Sequence, residues 1–81
     1  MKAERLRVQV EEGERTKVNL TFSARLAEDL QTLLPQDVSR RLTARDIHLG
    51  RIARLAVAGD FAPGPLFDLM DGKDHIRAWL E

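Results

Sequence analysis

Residues 5–22 run Arg5-Leu6-Arg7-Val8-Gln9-Val10-Glu11-Glu12-Gly13-Glu14-Arg15-Thr16-Lys17-Val18-Asn19-Leu20-Thr21-Phe22. Leu6, Val8 and Val10 alternate with Arg5, Arg7, Gln9 and Glu11, the period of a half-buried strand. After a polar stretch containing Gly13, the alternation resumes with Val18, Leu20 and Phe22 against Lys17, Asn19 and Thr21. Two strands with one apolar face and a glycine-bearing loop between them predict a β-hairpin.

The C-terminal end repeats the pattern. Leu66–Met70 predicts a strand, Asp71-Gly72-Lys73-Asp74 a tight turn, and Ile76, Ala78 and Leu80 alternate with His75, Arg77 and Trp79. Between the hairpins the period changes to that of helices. Leu26, Leu30, Leu33 and Leu34 form one stripe after Ser23, which offers an N-cap oxygen. Pro35 ends that helix, and Val38 and Leu42 mark a short second one over residues 36–43. A third helix starts near His48. It sets Leu49, Ile52, Ala53 and Ala56 on one face with Leu55 at its edge, and ends at Gly59 in the left-handed region. An alternative start, with Thr43 and Asp46 as a capping box, is less clean.

These elements predict one α+β domain over residues 1–81, with two antiparallel hairpins in one sheet and two or three helices on one face. Eighty-one residues are too few for two cores. The expected core is Val8, Val10, Val18, Leu20, Phe22, Leu26, Leu30, Leu33, Ile52, Leu55, Phe67, Leu69, Ile76 and Ala78.

Composition narrows the function. There is no cysteine, which excludes disulfides, thiolate metal sites and cysteine nucleophiles. His48 and His75 lack a metal-ligand spacing, Ser23 and Ser39 lack a nucleophile-elbow context, and no glycine-rich loop precedes a helix. A non-enzyme without a cofactor is expected. No apolar run suits a signal peptide or a membrane span, so a cytoplasmic location and no membrane insertion are expected.

Thirteen basic and thirteen acidic residues give zero net charge, against a globally basic nucleic-acid binder. A local cluster remains, Arg40, Arg41, Arg45, Arg51 and Arg54, facing an acidic C-terminal end. A solvated helix surface balanced by that end explains it better than a nucleic-acid site. The sharper nucleic-acid alternative is a ribbon-helix-helix-like regulator presenting Lys17, Asn19 and Thr21 to the major groove. Against it, Leu6–Val10 supplies an intramolecular partner for the strand. On the sheet face opposite the helices, Leu66, Met70 and Trp79 beside Arg77 form a candidate self-association surface. A small domain without disulfides or metal also favours a homodimer.

The order of signals resembles a family. Leu6–Val10, Lys17–Phe22, Leu33-Leu34-Pro35, Ile47-His48-Leu49, Gly59-Asp60, Leu66–Leu69 and His75–Glu81 together look like the SHOCT-like domain of YvlB/LiaX-type bacterial envelope-stress proteins. Asp46 stands where the resemblance would place a glycine, and His48 where it would place an acidic cap. The resemblance implies a small non-catalytic regulatory or protein-interaction module, linked to envelope stress, with an unidentified protein partner. It transfers no catalytic residue.

Overall fold

The computed structural model describes residues 1–81. Its elements are β1 (Arg5–Glu12), β2 (Arg15–Ser23), a 3-10 helix (Ala24–Asp29), α1 (Leu30–Leu33), α2 (Gln36–Ala44), α3 (Leu49–Ala58), β3 (Gly64–Asp71) and β4 (Asp74–Leu80). The α+β class holds. All neighbouring strands are antiparallel, and the order across the sheet is β2-β1-β4-β3. Each hairpin contributes one central and one edge strand, and the hairpins join where β1 meets β4. The central strands carry the most completely buried alternation, Leu6, Val8 and Val10 against Ile76, Ala78 and Leu80. The helices cover that face.

Both hairpins turn tightly. Glu12 pairs with Arg15 across Gly13-Glu14, and Asp71 with Asp74 across Gly72-Lys73. Gly13 (φ 58°) and Gly72 (φ 63°) take left-handed conformations that suit glycine.

The segment after β2 departs from the expected leucine stripe. Residues 24–29 wind as a 3-10 helix and only Leu30–Leu33 make an α-turn. A period near three brings Ala24, Ala27 and Leu30 to the core, all buried. Leu26 is turned outward and is 39% exposed, so it leaves the expected core. Ser23 precedes the segment, but its side chain makes no capping bond.

Val38 and Leu42 anchor α2, and Leu49, Ala53 and Ala56 anchor α3. The helix starts after His48, in the preferred register. Leu55 is not core: it is 63% exposed, carried past the edge of the buried stripe. Leu6, Leu34, Val38, Leu42, Leu49 and Leu80 are buried and were not in the expected core.

Two closures complete the helical layer. After α2, Asp46 N–H donates to the Thr43 carbonyl and Ile47 N–H to the Leu42 carbonyl. This is a Schellman motif, with Asp46 in the left-handed region (φ 64°). After α3, Asp60 N–H donates to Val57 and Phe61 N–H to Ala56. The left-handed residues here are Asp60 (φ 52°) and Phe61 (φ 56°); Gly59, at φ −85°, is not. The stop therefore falls one residue later than expected.

Candidate functional site

Three surfaces carry the polar and apolar groups that a ligand or partner would meet. The first is ionic, at the turn end of the sheet. The two-residue turn at Gly13-Glu14 sets Glu11 opposite Thr16, yet Val10 pairs with Val18. Lys17 is thus the extra residue of a β-bulge. Its ammonium swings to the helix-side end of the sheet, 2.9 Å from Asp74 Oδ1 and 3.0 Å from Glu12 Oε2. From α2, Arg41 Nε donates to Asp71 Oδ2 (2.6 Å) and Nη2 to Asp74 Oδ2 (2.7 Å). Arg45 Nη2 adds a bond to Asp71 Oδ1 (3.0 Å).

Three cations and three carboxylates thus cancel. Arg41 holds the Asp71 carboxyl below its ordinary range. Lys17, and then Arg41, do the same for Asp74. Asp74, and then Glu12, push the Lys17 ammonium up. Groups locked in opposite charge states are poor proton shuttles near neutral pH. They do fasten the β3–β4 turn to α2.

Of the basic cluster, Arg41 and Arg45 are therefore engaged by the acidic hairpin, whereas Arg40, Arg51 and Arg54 are exposed. The bulge also corrects the ribbon reading. Asn19 and Thr21 face away from the helices, but Lys17 does not join them.

The second surface is the sheet face without helices. Trp79 lies opposite Arg7 on β1 and Pro65 on β3. Its ring sits between two guanidinium groups, with the Arg7 carbon 5.5 Å and the Arg77 carbon 5.2 Å from the centroid. Both arginines also bond through their terminal nitrogens, while the Nε of each is buried without a partner. Arg7 donates to Glu81 Oε1 (3.0 Å) and Asn19 Oδ1 (3.3 Å); Arg77 donates to Gln9 Oε1 (3.1 Å) and Glu11 Oε1 (2.9 Å).

His75 meets Asp68 at 2.5 Å, next to Met70, which is 56% exposed. Arg77, Trp79 and Met70 thus share this face. Leu66 does not. It sits at the bulge where the β3–β4 register shifts between Pro65 and Phe67, and packs against the core on the helix side.

The third surface follows from that bulge. Leu66, Ile52, Leu55, Pro63, Pro65 and Leu80 line a shallow groove between α3 and the start of β3. No group of three or more His, Asp or Glu side chains comes together as a metal site. His48 pairs only with the exposed Asp46, at 2.8 Å. No helix is long and apolar enough to cross a membrane.

Fold and surfaces together define a four-stranded antiparallel sheet covered by helices on one face, with ion pairs fastening its turn end to α2. Comparison with family models, curated proteins and solved structures gives no match.

Proposed function

We propose that this chain is a non-catalytic protein-interaction module that self-associates. The observation that carries the reading is the uneven cover of the sheet. The helices bury the central strands, but on β2 the apolar row Val18, Leu20 and Phe22 stays only half-buried. A domain of this size buries a modest share of its apolar surface, and association is a common way to bury more. The zero net charge offers no long-range repulsion to oppose it.

The link to envelope stress rests on the SHOCT-like resemblance alone. The ribbon-type DNA regulator has less support, since Lys17 is drawn to Glu12 and Asp74 and β2 already has an intramolecular partner. Sedimentation velocity across a dilution series tests the main reading. A concentration-dependent dimer is expected; a monomer at hundreds of micromolar would overturn it.

A further inference from the structure

The two sheet edges differ. On β3 the edge begins with Gly64 and Pro65, is bulged at Leu66, and then carries Asp68 and Asp71. Proline, a bulge and charges are the devices that keep an edge from pairing. On β2, residues 18–23 read Val-Asn-Leu-Thr-Phe-Ser, with no proline, glycine, charge or register shift.

The hydrogen-bond phase of that run follows from the far end of the sheet. Arg5 and Glu81 exchange both backbone bonds. Odd positions of β1 therefore bond β4, and even positions bond β2. Leu20 and Phe22, opposite Val8 and Leu6, spend their backbone groups on β1. The N–H and C=O groups of Asn19 and Thr21 face the open edge.

We infer that two copies of this chain pair through antiparallel β2 strands centred on Leu20, joining their sheets into one of eight strands. The inference rests on the self-association reading and specifies its geometry. In this register Asn19 of one copy faces Thr21 of the other, twice by symmetry, which forms four backbone hydrogen bonds. Leu20 meets Leu20 across the two-fold axis, and Val18 meets Phe22 on the same face. The half-exposed apolar row of each copy then covers that of the other. No charged residue lies within positions 18–22 to oppose the contact. The surface is self-complementary, as an isologous dimer requires.

Two variants test the pairing. Thr21→Pro removes an outward N–H that no intrachain bond uses. The loss of two interchain bonds is expected to weaken dimerisation about thirtyfold or more. Leu20→Cys places two thiols at a non-hydrogen-bonded pair, where Cα atoms about 4.5 Å apart suit a disulfide. The native chain has no cysteine, so rapid oxidation to a covalent dimer reports this contact alone. A wild-type dimer that persists in folded T21P, or L20C that stays monomeric under oxidation while the wild type dimerises, overturns the edge pairing and leaves self-association standing. Loss of the dimer in folded W79S with T21P unaffected also overturns it, in favour of the sheet face. A monomeric wild type overturns both.

Discussion

Arg41 on α2 and Asp74 at the start of β4 meet at 2.7 Å, although 33 residues of chain separate them. With Asp71 also on Arg41, one guanidinium grips both ends of a two-residue turn.

The grip sets an acid limit. Both carboxyls have folded-state pKa values below their ordinary 3.8. Their contribution is present in full above that ordinary value, and is lost as pH falls through the depressed folded values. Stability measured by urea unfolding is expected to fall below about pH 4, with a shallower fall in D74N. An equally steep limb in D74N would show that Asp74 does not couple to folding.

Leu30 and Leu55 differ in burial, at 0% and 63% exposed. Leu30→Ala is expected to cost about 2–5 kcal/mol, enough to unfold a domain this small. Leu55→Ala is expected to cost under about 0.5 kcal/mol, as surface changes do. Urea titration of both reads the difference, and equal losses would refute the burial of Leu30 against the exposure of Leu55.

Asp46 holds the left-handed position that closes α2. Glycine has no Cβ to strain there, so D46G is expected to raise stability by up to about 1 kcal/mol. The exposed Asp46–His48 pair contributes little to offset this. A drop in melting temperature would show that the aspartate side chain holds the turn.

Duplex DNA is expected to bind no tighter than the roughly micromolar-to-100-micromolar range of non-specific contacts at physiological salt. Fluorescence anisotropy with a labelled duplex checks this. Tight binding lost in a Lys17→Ala, Asn19→Ala double variant would restore the ribbon reading.

The alternation of Leu6–Val10 and Ile76–Leu80 made both hairpins legible, and Val38 and Leu42 made α2 so. The winding of residues 24–34 was not. Leucines four apart competed with Ala24, Ala27 and Leu30 three apart, and the small alanines proved to be the inward set.

The Lys17 bulge had a signal. A two-residue turn at Gly13-Glu14 would set Val10 against Lys17, and looping out one residue restores Val10 against Val18. Leu66 was misplaced for a related reason, because alternation along β3 breaks at its own bulge. That Trp79, Arg7 and Arg77 share one sheet face followed from strand period; that Trp79 lies directly opposite Arg7 needed the pairing of β1 with β4. The strand order did not, since either strand of each hairpin had an apolar face to offer.

Pairing Arg5 with Glu81 puts the first and last strands side by side at the centre of the sheet. Each hairpin is a local structure that can form quickly, but neither has a finished core. The join between them closes a loop of almost the whole chain, and contacts that distant in sequence slow folding. A nascent chain therefore waits with its N-terminal hairpin half-covered until the last strand arrives. Over that interval the odd positions of β1 form a second open edge, on the side where β4 will pair.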